Sequence, residues 1–293
     1  YHCLSSGINA EYMGGGHSPL PRFLTGLCIP EDFRRVLSRG KPWWIYVALL
    51  PSFLDMDRHI EAACDSDSPF DSLIFDLDDT LYPDNTGIAE ACRKNIEEFL
   101  VQKYGFSECD ASSLRVELFK KYGSTLAGLR ALGYDIDPVE YHSFVHGRLP
   151  YDLIEANSQL RKLLLSIKQR KIIFTNSDRI HANEVLNRLG LEGCFEQIIC
   201  FETINPNLSK SDQSNEFPIS LKPSMEAMST AVAVAEVDPT RTLFLDDSIR
   251  NVAAGKAIGL RTVLVGRMAK SKETDYTVES VANIARAIPE IWK

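Results

Sequence analysis

Three carboxylates crowd into Asp76-Leu77-Asp78-Asp79-Thr80, directly after the apolar run Ser72-Leu73-Ile74-Phe75. A short apolar run of this kind reads as a buried parallel strand. Acids at the end of such a strand repel one another and are costly to desolvate, and a divalent cation offsets that cost. Mg²⁺ suits the position, because it takes hard oxygen ligands in an octahedron and keeps several waters together with a substrate phosphate oxygen. Strict strand geometry would point Asp76 and Asp78 to one face. In a loop just past the strand, one can present its side chain and the other its backbone carbonyl. Taken alone, the motif fits a polar turn equally well.

Later segments supply what the carboxylates need. Lys171-Ile172-Ile173-Phe174 is a second apolar run, ending in Thr175-Asn176-Ser177-Asp178. Thr175 and Asn176 offer neutral donors and backbone N–H groups, which suit phosphate oxygens. Lys222-Pro223 opens a helix and offers a cation that can hold a phosphate and damp the charge of a nearby nucleophile. A solvent-exposed lysine is the ordinary alternative. Thr242-Leu243-Phe244-Leu245 is a further apolar run, ending in Asp246-Asp247-Ser248.

These residues need a scaffold that gathers strand ends. Strands are expected at 72–75, 171–174, 197–201, 242–245 and 261–265, with helices at 179–189, 224–237 and 249–258 between them. Such alternation predicts an α/β fold with a Rossmann-like parallel sheet and right-handed crossovers. Ligands then bind beyond the carboxyl ends of the strands, where Asp76, Asp78, Thr175, Lys222, Asp246 and Asp247 all fall.

Composition is consistent with this. At 44% hydrophobic and 25% charged residues, the 293-residue chain is neither disordered, collagen-like nor a multi-span membrane protein. Its length allows one or two domains at about 150 residues each. With 32 basic against 40 acidic residues the net charge is −8, which argues against binding nucleic acid through its phosphates. Seven cysteines, odd in number and without a C-x-x-C pair, point to reduced thiols in a cytoplasmic protein. The most apolar stretch, Trp43–Leu54, is twelve residues long and contains Pro51, whereas a membrane span needs about 20.

The strings FDLDDT (Phe75–Thr80), FTNSD (Phe174–Asp178), LKP (Leu221–Pro223) and FLDDS (Phe244–Ser248) resemble, in order and position, the four motifs of the haloacid dehalogenase-like (HAD) hydrolase superfamily. The resemblance covers about residues 71–267. It implies Asp76 as the nucleophile that forms an aspartyl phosphate, and Asp78 as the acid and base. It implies that Thr175, Asn176 and Lys222 bind the phosphoryl group. Mg²⁺ would take the Asp76 side chain, the Asp78 carbonyl and Asp246, with Asp247 as the alternative. An acid two residues after the nucleophile serves an alkoxide leaving group and is not needed for a halide, so phosphate esters are favoured over haloacids.

The stretch between the first two motifs reads as helical over 90–103, 111–121 and 157–169, and resembles the small C1-type cap of this superfamily. Residues 71–86 and 171–293 are then the core and 87–170 the cap. LYPDNTGI (81–88), YGSTLAGLRALGY (122–134), YHSFVHGRLPYD (141–152) and DDSIRNVAAGKAIG (246–259) look like the pyrimidine 5'-nucleotidase-type branch, and a plant-type nucleotide phosphatase in particular. That branch implies a small phosphate monoester as partner, a nucleoside 5'-monophosphate such as a pyrimidine or xanthosine monophosphate. A sugar-phosphate phosphatase or phosphomutase, or a non-catalytic protein on the same fold, are the rivals. Tyr122, Arg130, His142, His146 and Arg148 are cap residues that could meet a base, with packing as the simpler role. His142 and His146, four apart, lack a third metal ligand. Residues 1–70 read as leader and linker, with Met56 as a candidate start and a plastid-targeting leader as the other reading. The polar stretch 205–220 reads as a surface loop.

Overall fold

The computed structural model describes residues 67–208, 218–267 and 271–293. The leader up to 66, the candidate start at Met56 and positions 209–217 of the polar loop lie outside the described residues. The elements run β1 (Ser72–Phe75), α1 (Ile88–Tyr104), α2 (Glu108–Tyr122), α3 (Thr125–Ala131), α4 (Pro138–His146), α5 (Ser158–Ser166), β2 (Arg170–Phe174), α6 (Arg179–Arg188), β3 (Gln197–Ile199), α7 (Phe201–Ile204), α8 (Met225–Ala235), β4 (Thr242–Asp246), α9 (Ile249–Ala257), β5 (Arg261–Val265), β6 (Tyr276–Val278) and α10 (Ile284–Ala287). Among the described residues, no helix is long and apolar enough to cross a membrane.

The fold is the α/β Rossmann-like arrangement the alternation implied. The sheet has six parallel strands in the order β3-β2-β1-β4-β5-β6. Its strands are apolar on both faces because helices cover both. Leu73 and Phe75 bury on one side with Leu164, Ala182, Val185 and Ile284. Ile74 points the other way, into Phe174, Phe244 and the alanine-rich face of α8. Helices α1–α4 build a third core of their own, in which Phe99 meets Tyr141 and Phe144 edge-on at 5.2 and 5.3 Å.

Strand order positions the chemistry. The centre of the sheet is β1, between β2 and β4, with Phe75 opposite both Ile173 and Leu245. The next residues, Asp76, Phe174 and Asp246, therefore stand level at one edge. The helix after β2 is capped by Asp178, whose carboxylate accepts from the His181 N–H at 2.8 Å, and α8, which follows Lys222, by the Ser224 hydroxyl, which accepts from the Ala227 N–H at 3.0 Å.

Several expectations need correction. The third strand ends at Ile199, not at 201, because Phe201 already begins α7; the Thr203 hydroxyl accepts from the Cys200 N–H at 3.3 Å and turns the chain into that helix. Helices α3 and α4 and the edge strand β6 were not foreseen. Seven- and nine-residue helices show too few turns for a period, and a three-residue strand shows none.

Candidate active site

The buried centre is a lysine between two acids. Lys222 Nζ donates to Asp76 Oδ1 at 2.7 Å, to Asp246 Oδ2 at 2.8 Å and to the Phe174 carbonyl at 2.7 Å. All three ammonium protons are thus engaged, and only 1% of the side chain is exposed. Burial opposes this charge, yet Asp246 and Asp76 hold the Lys222 pKa above its ordinary value. The exposed-lysine alternative does not hold. Asn176 fixes the lysine from behind: its carboxamide donates to the Lys222 carbonyl at 2.9 Å and accepts from the Lys222 N–H at 2.8 Å. The Asn176 side chain is therefore occupied by backbone. Thr175 Oγ1 accepts from the Ser177 N–H at 3.0 Å. The Thr80 hydroxyl donates to Asp76 Oδ2 at 3.1 Å.

Asp76, Asp246 and Asp247 each bring a carboxylate oxygen to within 4.8 Å of the others. Burial, with the charges of Asp246 and Asp247, pushes the Asp76 carboxyl well above its usual range, despite Lys222. Burial, then Asp246 and Asp79, pushes Asp247 up to about 6. Asp79 lines the same cavity, and its Oδ1 is buried without a hydrogen-bond partner among the described residues. Hard oxygen donors that repel one another fit Mg²⁺. Asp246 is oriented by the Ser248 N–H at 2.9 Å and the Asn251 amide at 3.0 and 3.1 Å, as outer partners orient metal ligands.

The Asp78 carboxylate lines the same cavity but has its own set of donors. It accepts from the Tyr82 hydroxyl at 2.6 Å, His181 Nε2 at 2.7 Å and the Ser177 hydroxyl at 2.9 Å. Burial alone would raise its pKa; His181 and Tyr82 hold it well below the usual carboxylate range. Sequence reasoning missed His181. The available signal was its place three residues after the capping Asp178, in a first turn whose side chains lean toward the strand ends.

Two cavities meet here. One, of about 290 Å³, lies over Asp76, Thr175, Asn176, Lys222 and Asp247. The other, of about 310 Å³, lies between the helical insert and Asp78, with Cys92, Arg93, Arg115 and His181 in its walls. Asp78, Asp79, Ser177 and Phe119 line both, so the two adjoin. Of the cap candidates, His146 reaches the second cavity, whereas Tyr122, Arg130, His142 and Arg148 line neither. Arg148 instead pairs with Glu98 at 2.7 Å and covers Phe144.

His146 Nδ1 bonds Asp178 Oδ2 at 2.6 Å, and its ring stacks on His142 at 5.3 Å. His142 meets Phe201 edge-on at 4.6 Å and borders a separate cavity of about 890 Å³ behind Asp178. Burial first, then the neighbouring His146, pushes the His142 pKa from 6.5 down to about 3. The unfolded chain takes up this proton below 6.5 and the folded chain does not, so stability is lost as pH falls through that window. His142→Phe is expected to gain on the parent by roughly 1–3 kcal/mol between pH 7 and pH 4 in urea titrations. A difference independent of pH would contradict this.

Residues 70–259 match the haloacid dehalogenase-like hydrolase family. The chain is 26% identical over 199 residues to Phosphate metabolism protein 8 of Saccharomyces cerevisiae, covering 65% of this chain and 60% of that protein. It is 25% identical over 214 residues to the glyceraldehyde 3-phosphate phosphatase of Methanopyrus kandleri, covering 67% of this chain and 84% of that protein. The chain thus spans about three fifths of the yeast relative's length. In structure it is similar to a HAD phosphatase from Thermococcus onnurineus, with a TM-score of 0.50, 16% identity and coverage of 74% of this chain and 97% of that one. It is similar to CbbY from Rhodobacter sphaeroides, solved with phosphate, with a TM-score of 0.50, 19% identity and coverage of 73% and 96%. At these identities the structural likeness is one of fold.

Proposed function

The chain belongs to the haloacid dehalogenase-like hydrolase family, and from that premise we propose that it is a Mg²⁺-dependent phosphatase for a nucleoside 5'-monophosphate, of the pyrimidine 5'-nucleotidase type. The observation that carries the reading is a carboxylate, Asp76, held 2.7 Å from a buried ammonium in a cavity that adjoins, at Asp78, a second one against the helical insert. A carboxylate is a poor nucleophile toward a phosphate dianion because the two repel, so charge neutralisation and positioning do most of the work. Asp76, Asp246 and Asp247 would hold Mg²⁺, which when bound neutralises charge on the phosphoryl oxygens.

The protein's own steps balance as follows. An Asp76 oxygen bonds to phosphorus while the bond to the ester oxygen breaks. That oxygen takes the electron pair and a proton from Asp78, which has first taken that proton up from solvent on Oδ2, the oxygen that His181 and Tyr82 leave open, and the alcohol leaves. Water then attacks the aspartyl phosphate and gives a proton to Asp78, and the electron pair of the Asp76–phosphorus bond returns to Asp76. The products are nucleoside and phosphate.

A planar, polar leaving group suits the second cavity. Phe119 is 56% exposed where the cavities meet, and can stack on a base. Arg93 and Arg115 bring cations that can hydrogen-bond a base edge. The archaeal relative's name favours a second reading, a sugar- or triose-phosphate phosphatase. Phosphate release from uridine, xanthosine and other nucleoside monophosphates, against glyceraldehyde 3-phosphate, decides between them. We expect the best nucleotide to exceed the triose phosphate by at least about 10-fold in kcat/KM, or about 1.4 kcal/mol. We expect EDTA to abolish both activities. Preference for the triose phosphate would select the second reading, and activity unaffected by EDTA would remove the metal.

A further inference from the structure

We propose that His181 is a positioning residue that fixes the Asp78 carboxyl group for proton transfer to the leaving oxygen. This rests on the phosphatase reading, in which Asp78 is the acid.

Asp78 lies in the loop after β1, where no ladder of backbone bonds holds it, and a free carboxyl group there would sample several rotamers. Three donors from three places fix it instead: Tyr82 four residues on, Ser177 between β2 and α6, and His181 within α6. Of these, His181 is the one held at every point. It is 2% exposed, and its N–H bonds the Asp178 cap at 2.8 Å. Its Nδ1 meets the Tyr151 hydroxyl at 2.8 Å, and its ring lies 4.5 Å from that of His146. Nε2 is left to face Asp78 Oδ1 at 2.7 Å, across 103 residues of sequence. An acid or base oriented by a second group, itself oriented by a third, is a recurrent catalytic arrangement.

The step it serves is ester cleavage. As the bond from phosphorus to the ester oxygen breaks, its electron pair goes to that oxygen, which takes the Asp78 proton. A basic leaving oxygen depends on that proton and a weakly basic one far less, so an acid out of place is felt most with poor leaving groups.

The test compares phenyl phosphate with p-nitrophenyl phosphate, which share a ring and differ in the basicity of the leaving oxygen. Only kcat/KM is compared, since it covers the steps up to departure of the alcohol and excludes hydrolysis of the phosphoenzyme. In His181→Ala, kcat/KM should fall at least about 10-fold more for phenyl phosphate than for p-nitrophenyl phosphate. His181→Gln, whose amide nitrogen reaches the same oxygen, should recover most of that difference. Tyr151→Phe acts only through His181 and should show the same selectivity about 2- to 5-fold, which keeps the test available if the alanine variant does not fold. Equal losses on the two esters, or no recovery with Gln, would overturn the proposal. A parent protein that releases phosphate neither from these esters nor from any nucleoside monophosphate would instead overturn the phosphatase reading beneath it.

Discussion

Asp76→Asn is expected to abolish turnover while leaving the fold in place. Asparagine keeps the shape and the acceptor toward Lys222 Nζ, but its amide cannot form a stable ester with phosphorus. Loss of an attacking group in a site whose parts act as a unit costs roughly 10⁴-fold or more in kcat. The fold should tolerate the change, because burial and the charges of Asp246 and Asp247 already disfavour an ionised Asp76. Circular dichroism should be unchanged, and no acid-stable, hydroxylamine-sensitive phosphate should accumulate on the variant. Activity above about 1% of the parent, far more than a missing nucleophile permits, would refute the aspartyl-phosphate route.

Lys222→Met tests the other half of the pair, and its largest effect is on stability. Methionine fills the volume but leaves Asp76 and Asp246 facing each other without a cation. Breaking a buried ion pair from one side costs about 3–5 kcal/mol, and we expect a loss in that range at pH 7.5 by urea denaturation. The Asp76 carboxyl is already raised, so the folded variant takes up a proton more readily than the unfolded chain, and its deficit should shrink as pH falls toward 4. Adding Asp76→Asn to Lys222→Met should cost less than the two single losses together, because the second change removes a charge stranded by the first. Additive losses would mean that the ammonium and carboxylate do not interact. Activity should fall on the order of 10²–10³-fold in kcat as a preorganised charge is lost.

The strand ends were legible because they break a rule. Asp76, Asp78, Asp246 and Asp247 follow apolar runs with no structural reason to be there, and β1 and β5 run from Ser72 to Phe75 and from Arg261 to Val265, the bounds expected from the runs alone. What a residue does with its side chain was less legible. The Asn176 carboxamide holds the Lys222 backbone, a pairing across 46 positions that no local pattern announces. Lys222 was weighed as a surface lysine and is among the most buried side chains. The contact between Asp78 and His181 spans 103 positions, and no local period encodes it. Pairings of that kind follow from how the sheet stacks its crossovers.

The strand order also has a consequence for biosynthesis. Among the described strands the middle one is made first, yet β4, the neighbour carrying Asp246, lies 170 positions downstream. At cellular rates of about 5–20 residues per second, β1 waits on the order of 10 s on the ribosome, first with both flanks unpaired and, once β2 is made, with one. Through that interval Ser72-Leu73-Ile74-Phe75 is an apolar, open-edged segment of the sort that chaperones hold and aggregates recruit. Asp76 is thus made well before the neighbouring strand that carries its partner Asp246.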